Sequence, residues 1–592
     1  MKKTEPSQPV YNTRVEGIDI MVPMRDGTRL AVDIYRPDAE GRFPALLAFA
    51  AHNKFLQSPE VAEACSNQPA WSPLWCGPAE GGDTEFFTTR GYVHIVGNTR
   101  GCGHSDPGDP AVGGVTDSYD LIEWIAQQPW CDGNVGMIGI SDFARRQIIA
   151  AIHQPPHLKA IFPYDPGDFS FRDMAPGGLI HTMRLHLMKF SAENPHEIVL
   201  TPEEEENWEE LYNNPDYRMY TAVFNVLERK GKLAPWFFRT LLNPYEPEDQ
   251  EEIEKSIEKI NIPVYLGTGW YAYTYKVHLF GAFRYWEKCT NSPFKKMLLT
   301  GPAHLTRPWI AFHDEVLRWY DYWLKGIDTG VKDEPRIKIW VMGANYWRYS
   351  NEWPLKETTW KKLYLDSWER LRWEPFIPSS KDGINAPDCF VQMPLTQTRT
   401  VQKLRYMTEP LAEDLEVIGP LSFHFWAAID QEDTNWIIIL KDVGPDVSVQ
   451  TAREGEMERP QVHEREVTRG WLKASHRAVD EKRSMPGRPF HPLTRSAQKP
   501  VVPGKITRYD VEIAPTSNVF KRDHRICVDI TSMDVPTGVA GDSAVEYIPY
   551  HICSSKTVVH EIYRCQEYPS HLLVPVVPKD RTGDVGNCGK PG

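Results

Sequence analysis

The stretch Asn134-Val-Gly-Met-Ile-Gly-Ile-Ser141-Asp-Phe-Ala144 decides the fold of this chain. The apolar run from Val135 to Ile140 predicts a buried strand, and the apolar spacing after Ser141 predicts a helix. A serine on a sharp turn between a strand and a helix is the layout of a nucleophile elbow. Such a turn lifts the hydroxyl out of the sheet, and the helix N-terminus behind it favours developing negative charge.

This elbow is altered at one position. The usual pattern has a second glycine two residues after the serine, and here that position is Phe143. Short glycine-x-serine matches are common, so the stretch also fits a strand followed by a loop serine without chemistry. The rest of the chain has to separate these two interpretations.

Composition narrows the class of protein. A chain of 592 residues is too long for one core and predicts two or three domains. The net charge of -14 argues against a nucleic-acid partner, which favours a basic surface. No apolar run is long enough to span a membrane, and the polar start lacks a secretory signal, so we expect no membrane association. The ten cysteines form no C-x-x-C pair, which is typical of reduced thiols and predicts a cytoplasmic protein without a zinc framework.

Buried strands alternate with helices over the first half of the chain. An amphipathic helix is predicted between Thr116 and Gln127, directly before the elbow. The strand and helix alternation predicts an α/β fold with a mostly parallel, doubly wound sheet. Continuous apolar runs predict its strands at Pro44–Ala50, Tyr92–Gly97, Leu158–Phe162, Ile262–Gly267 and Lys296–Thr300.

Changes in the helix and strand patterns along the chain predict the domain boundaries. Residues 1–169 and 259–354 form the two parts of the α/β core, and the helix-rich residues 170–258 form a cap inserted between them. From residue 355 to 592 helix signals nearly vanish and short strands alternate with turns, which predicts an all-β sandwich or jelly roll.

A serine nucleophile needs a histidine base, which in this fold type follows the last parallel strand. The segment Met297-Leu-Leu-Thr-Gly-Pro-Ala-His304 has that arrangement, with a strand, a Gly-Pro break and then a histidine. His304 is therefore the predicted base, although a surface loop histidine would look the same.

The whole arrangement resembles the cocaine esterase and Xaa-Pro dipeptidyl-peptidase family (CocE/NonD) of serine hydrolases, which also includes α-amino acid ester hydrolases. The resemblance implies an α/β-hydrolase domain, a helical cap and a C-terminal jelly roll. It covers nearly the full chain and is carried by Met24-Arg-Asp-Gly-Thr-Arg-Leu30, Thr99-Arg-Gly-Cys-Gly-His-Ser105, Gly136-Met-Ile-Gly-Ile-Ser141, Gly269-Trp-Tyr271, Gly301-Pro-Ala-His304, Asp321-Tyr-Trp-Leu-Lys-Gly326 and Arg469-Gly-Trp-Leu-Lys-Ala-Ser-His476.

The oxyanion site departs from the family pattern. The resemblance implies that the backbone N–H of Asp142 is one oxyanion donor, but the family usually has tyrosine at this position. A carboxylate beside the nucleophile would oppose negative charge there by on the order of 1–4 kcal/mol, unless it points away. The second donor of the family is a tyrosine whose place is taken by His52, either as a donor or as a structural loop residue.

The acid of the triad is also displaced. Many members of the family carry an aspartate where this chain has Ala272, so the acid has to come from elsewhere. The loop Pro163-Tyr-Asp165-Pro-Gly-Asp168 follows the preceding strand and offers Asp165 first and Asp168 second. A Pro-Gly turn capped by aspartates, or a serine–histidine pair without an acid, are the alternatives.

Three aromatic residues are candidates for the substrate pocket. Trp270, Tyr271 and Tyr273 come just after a strand end, where the cleft of an open α/β sheet lies. They could equally pack against the cap. No nucleotide-binding or metal-binding motif is present, so we expect neither a cofactor nor a metal.

The sequence therefore predicts a serine hydrolase that cleaves an ester or amide of a small acyl substrate through an acyl-enzyme on Ser141. Two alternatives stay open: an acyltransferase or biosynthetic cyclisation or rearrangement enzyme on the same scaffold, and a degenerate hydrolase that binds a ligand or partner. A homodimer is possible.

Overall fold

The N-terminal part of the chain forms one sheet of ten strands in the order β1-β2-β4-β3-β5-β6-β7-β8-β9-β10. Strand pairs from β4 to β9 are parallel, and β1, β2 and β10 are joined by antiparallel pairs, so the predicted doubly wound sheet is confirmed. The strands are β1 (Thr13–Pro23), β2 (Arg29–Pro37), β3 (Phe43–Ala50), β4 (Val93–Asn98), β5 (Cys131–Ile140), β6 (Leu158–Tyr164), β7 (Val264–Gly269), β8 (Lys295–Thr300), β9 (Ile337–Val341) and β10 (Tyr346–Ser350). The structure is a computed structural model that describes residues 4–59, 80–108, 115–167, 172, 175–182, 198–271, 276, 278–301, 312–375, 386–449, 459–534 and 551–578.

Helices cover both faces of this sheet. On one face α2 and α9 contribute buried side chains to a core that includes Leu121 and Leu279, and on the other face α1 and α10 contribute Phe87 and Trp319. The described helices are α1 (Thr84–Thr88), α2 (Thr116–Ala126), α3 (Asp142–Ile152), α4 (Pro202–Asn213), α5 (Pro215–Arg218), α6 (Thr221–Glu228), α7 (Pro235–Leu242), α8 (Gln250–Lys255), α9 (Leu279–Lys288) and α10 (His313–Lys325).

Strand β3 shows why the central strands are apolar throughout. Leu47 and Phe49 belong to the core on one face of the sheet, whereas Leu46 and Ala48 belong to the core on the other. Because successive side chains of a strand point to opposite faces, a strand covered on both faces reads as an unbroken apolar run.

Helices α4 to α8 lie between β6 and β7 and correspond to the predicted insertion. Helix α4 begins with a capping box, in which Thr201 and Glu204 bond each other's backbone N–H groups. The insertion packs against the C-terminal part of the chain, since the hydroxyl of Tyr220 donates to the carbonyl of His551 at 3.3 Å. The boundaries of this insertion stay a prediction.

The C-terminal part is β-rich, as predicted. The eleven strands that the structure describes there pair in the order β13-β20-β15-β18-β17-β16-β19-β14-β12-β11-β21, and β21 also pairs with β15. This last pairing closes nine strands into a ring and leaves β13 and β20 outside it, so the jelly-roll detail is not confirmed. The strands are β11 (Thr359–Asp366), β12 (Arg370–Arg372), β13 (Asp388–Gln392), β14 (Lys403–Met407), β15 (Leu415–Ile429), β16 (Asn435–Val449), β17 (Arg459–Lys473), β18 (Thr507–Phe520), β19 (Arg525–Thr531), β20 (Val558–Tyr563) and β21 (His571–Val576).

Backbone hydrogen bonds join the two sheets directly. The N–H of Met342, just after β9, donates to the carbonyl of Ser517 at 3.1 Å, and the N–H of Val519 donates to the carbonyl of Met342 at 2.8 Å. Residues 517–519 belong to β18, so the chain just after β9 is tied to the β-rich domain.

Within the described residues, no helix has both the length and the apolar character that a membrane crossing requires.

Candidate active site

Ser141 lies on a strained turn at the carboxyl end of β5. Its backbone has φ of 59° and ψ of -116°, a conformation that a residue with a Cβ atom rarely adopts. The turn is fixed on both sides, because the N–H of Ser141 donates to the carbonyl of Tyr164 at 3.0 Å and its own carbonyl accepts from Arg145 at 2.9 Å. Gly139 makes the turn possible, since it has φ of 137° and a Cβ there would lie 2.2 Å from Cβ of Phe143. The strand, turn and helix predicted from the sequence are all present.

An imidazole contacts the serine hydroxyl. The Oγ atom of Ser141 and the Nε2 atom of His278 are 3.1 Å apart, within hydrogen-bond distance. His278 is the residue directly before α9, in the segment that follows β7. A serine hydroxyl beside an imidazole is the arrangement that activates the nucleophile in acyl transfer.

His278 is not among the site residues predicted from the sequence. Its only signal is a histidine at the start of an amphipathic helix after a sheet strand, which is too common to select one residue among 19 histidines. The predicted base, His304, lies outside the described residues, so its position stays a prediction.

Asp165 is completely buried at the carboxyl end of β6. Its Oδ1 atom accepts hydrogen bonds from the hydroxyl of Thr268 at 2.7 Å and from the N–H of Gly269 at 3.2 Å. Its own N–H donates to the carbonyl of Gly267 at 2.8 Å, which holds the residue between β6 and β7. Since Tyr164 also binds the backbone of Ser141, the carboxylate stands one strand away from the elbow. Asp168, the second candidate for the acid, lies outside the described residues.

The side chain of Asp142 points toward the loop after β3. Its Oδ2 atom accepts the N–H of Ala51 at 2.9 Å, and its Oδ1 atom is 3.8 Å from Nε of Arg146. Burial raises the pKa of Asp142, but Arg146, Arg145, His52 and the Ala51 hydrogen bond together outweigh burial and lower the pKa to about 2. Asp142 is therefore ionised at neutral pH and binds the loop that carries His52.

His52 lies over the first turn of α3. Its ring stacks on Phe143 with centroids 6.0 Å apart, and its Nε2 atom is 3.8 Å from Oε2 of Glu80. The side chain is 41% exposed, so it lies at the surface rather than in the core. Its role as an oxyanion donor stays a prediction.

The structure places Trp270 in the core rather than in a substrate pocket. Its side chain is fully buried, its Nε1–H donates to the carbonyl of Trp340 at 2.7 Å, and its ring packs against Phe283 and Trp353. We predicted a substrate contact because Trp270 follows a strand end, but a ring enclosed in this way cannot reach a ligand in the cleft.

Tyr271 connects the two parts of the chain. Its hydroxyl donates to the carbonyl of Glu466 and accepts a hydrogen bond from Arg465 at 3.3 Å, and both residues belong to β17. The third aromatic candidate, Tyr273, lies outside the described residues.

No group of three or more histidine, cysteine, aspartate or glutamate side chains in the described ranges is arranged to hold a metal ion.

Comparison with known proteins gives consistent matches over nearly the whole chain. Residues 26–306 match the sequence profile of the X-Pro dipeptidyl-peptidase (S15 family), and residues 329–573 match that of the X-Pro dipeptidyl-peptidase C-terminal non-catalytic domain. The chain is 26% identical to a cocaine esterase from Rhodococcus sp. (strain MB1 Bresler), over 95% of this chain and 98% of the esterase.

Two solved structures share the fold. A CocE/NonD family hydrolase from Staphylococcus aureus aligns with a TM-score of 0.72 and 19% identity over 98% of this chain and 99% of its own. An aminopeptidase from a Thaumarchaeota archaeon aligns with a TM-score of 0.68 and 18% identity over 98% of both chains.

Proposed function

Because the chain belongs to the family of the X-Pro dipeptidyl-peptidases (S15 family) and cocaine esterase, we propose that it cleaves an ester or amide bond of a small acyl substrate through an acyl-enzyme on Ser141. One observation carries the proposal: Oγ of Ser141, on a strained turn at a strand end, is 3.1 Å from Nε2 of His278. A hydroxyl held in this way beside an imidazole can lose its proton as it attacks a carbonyl carbon.

The reaction proceeds in two steps. Oγ of Ser141 forms a bond to the acyl carbon while its proton passes to the imidazole, and the bond to the leaving alcohol or amine breaks as the imidazole returns that proton to it. Water then attacks the acyl-enzyme, gives its proton to the imidazole and releases the acid, and the proton returns to Oγ. The developing oxyanion is met by the N–H of Asp142 at the start of α3, with His52 as the second donor.

Two histidines compete for the role of the base. His278 has the hydrogen-bond contact to Ser141 in the structure, and we propose it as the working base. His304 follows β8, where the motif pattern of the family places the base, and is the alternative. Asp165 is proposed as the acid that orients the base, because it is buried at the carboxyl edge of the sheet one strand from Ser141.

Labelling with a fluorophosphonate, followed by mass-spectrometric mapping of the labelled residue, tests the proposal. We expect Ser141 to be labelled in the wild type, no label in Ser141→Ala, and much slower but measurable labelling in the variant that removes the base. His278→Ala and His304→Ala therefore assign the base, and Asp165→Asn tests the acid. An unlabelled Ser141 in protein with a native circular dichroism spectrum would overturn the proposed function.

The same variants should be assayed against small aryl esters and anilides. Hydrolysis that survives in Ser141→Ala would place the chemistry elsewhere. Adding an amine acceptor to these assays separates hydrolysis from acyl transfer, because only a transferase gives the acylated amine as its main product.

A further inference from the structure

Lys276 is a buried lysine two residues before His278. Its side chain is 2% exposed, and its backbone has φ of 61°, the left-handed region that side chains with a Cβ atom rarely adopt. Long cationic side chains usually keep the charged end in water, so a lysine buried in a strained conformation needs a specific reason.

The ammonium group of Lys276 reaches back to the end of β7. Its Nζ atom donates to the carbonyl of Trp270 and lies 4.1 Å from the centroid of the Tyr271 ring. The lysine thus connects the chain just before α9, where His278 stands, with the chain just after β7. A cation over an aromatic face and a hydrogen bond to a carbonyl both favour the charged amine.

The same contacts continue into the β-rich domain. Tyr271 binds the carbonyl of Glu466, and the carboxylate of Glu466 pairs with Arg469. Arg469 in turn bonds Asp534 at 3.1 Å. Lys276 therefore stands at the point where the segment that carries His278 meets β17.

Opposing effects act on the pKa of Lys276. Burial lowers its pKa to about 7, Glu466 opposes that shift, and Arg469 and Arg465 add to it. A buried amine of this kind is not needed for packing, since an apolar side chain of similar length would fill the same space without the charge.

We propose that Lys276 is a positioning residue that holds His278 against Oγ of Ser141 and couples the reactivity of the serine to the contact between the two domains. This inference rests on the proposed function, because it concerns the same serine and the same imidazole. It predicts that Ser141 reacts well only while the amine is charged and bound to Trp270 and Tyr271.

The test compares Lys276→Met and Lys276→Arg with Lys296→Met. Lys296 is a matched control, because it is also 2% exposed and lies in β8, where it pairs with Glu334 rather than with the His278 segment. The readout is the second-order rate constant for fluorophosphonate labelling of Ser141 between about pH 5.5 and 9.5, a range that spans neutrality on both sides.

We expect Lys276→Met to lower the labelling rate at least about tenfold while Lys296→Met changes it less than about twofold. In the wild type the labelling rate constant should decrease above neutral pH, because the Lys276 amine loses its charge there. Lys276→Arg stays charged over this range and should not show the decrease. In a His278→Ala background, Lys276→Met should cause no further loss, because the imidazole that it positions is gone.

Each failure has its own signature. If the wild type is not labelled, the proposed function fails. If the wild type is labelled but Lys276→Met matches it at every pH, or if Lys276→Met and Lys296→Met lose labelling equally, the role of Lys276 is overturned. The same follows if Lys276→Met slows labelling as strongly without His278 as with it.

Discussion

The carboxylate of Asp142 is the departure from the family pattern that is most open to measurement. Asp142→Asn removes the charge but keeps an oxygen that can accept the N–H of Ala51, now at 2.9 Å. The pKa of the aspartate is about 2 instead of 3.8, and its side chain is 21% exposed. At about 1.4 kcal/mol per pKa unit, the ionised carboxylate contributes about 2 kcal/mol to the free energy of unfolding at neutral pH.

The sign of this contribution follows from the lowered pKa. It is fully present above pH 3.8, the value for the unfolded chain, and is lost as the pH falls toward 2. Asp142→Asn should therefore lower the urea midpoint at pH 7 and lose less stability than the wild type on acidification. A control in the β-rich domain is Asp529→Asn, which also removes a carboxylate paired with arginine and lysine.

The effect on Ser141 should have the opposite direction. A negative charge beside the oxyanion opposes it by on the order of 1–4 kcal/mol, and Arg146 offsets part of this. We expect Asp142→Asn to raise the fluorophosphonate rate constant about tenfold, which corresponds to about 1.4 kcal/mol. Asp529→Asn should leave this rate unchanged. A slower reaction in Asp142→Asn, or an unchanged urea midpoint, would refute the reasoning, because the carboxylate would then either assist catalysis or not be ionised.

Three further changes have clear expected results. Gly139→Ala should abolish Ser141 labelling and lower the melting temperature, because its Cβ would lie 2.2 Å from Phe143, whereas the control Gly444→Ala would bring its Cβ no closer than 3.6 Å to a neighbouring side chain and should change neither. Lys276→Met should raise the free energy of unfolding at pH 6 by up to about 5 kcal/mol. The reason is that the Lys276 amine has a pKa of 10.5 in the unfolded chain but about 7 in the folded protein, so its charge opposes folding at this pH. A less stable variant would contradict this prediction. Trp270→Phe should cost about 1–3 kcal/mol in urea titrations by leaving a buried carbonyl without its donor, and no loss would contradict the core position.

The sheet could be predicted well because its strands are buried on both faces. Pro44–Ala50 was predicted and β3 spans Phe43–Ala50, and the predicted helix Thr116–Gln127 matches α2 within one residue. Strands β9 and β10 were not predicted, because each spans only five residues, and β10 is half-buried at four of its five positions and so has no continuous apolar run. The closure of the β-rich domain depends on β21 pairing with β15, which no local pattern reveals.

The candidate active site also has parts that the sequence predicts and parts that it does not. The turn at Ser141 was found because strand, serine and helix are adjacent in the chain. His278 was missed because its contact with Ser141 joins residues 137 positions apart, and nothing in the sequence near either residue records that approach. The position of Trp270 after a strand end predicts a pocket residue. In the fold its ring instead fills space beside Phe283 and Trp353, residues that are distant in the chain, so the sequence near Trp270 does not indicate this burial.

The backbone bonds of Met342 to Ser517 and Val519 have a consequence for protein engineering. In a chimera that exchanges only the β-rich domain with that of a relative, Met342 would come from one parent and its partners at residues 517 and 519 from the other. A truncation before β11 would leave the N–H and carbonyl groups of Met342 without their partners, next to an exposed sheet end. Recombination libraries should therefore place their crossovers inside the helical insertion, and carry residues 342 and 517–519 from the same parent.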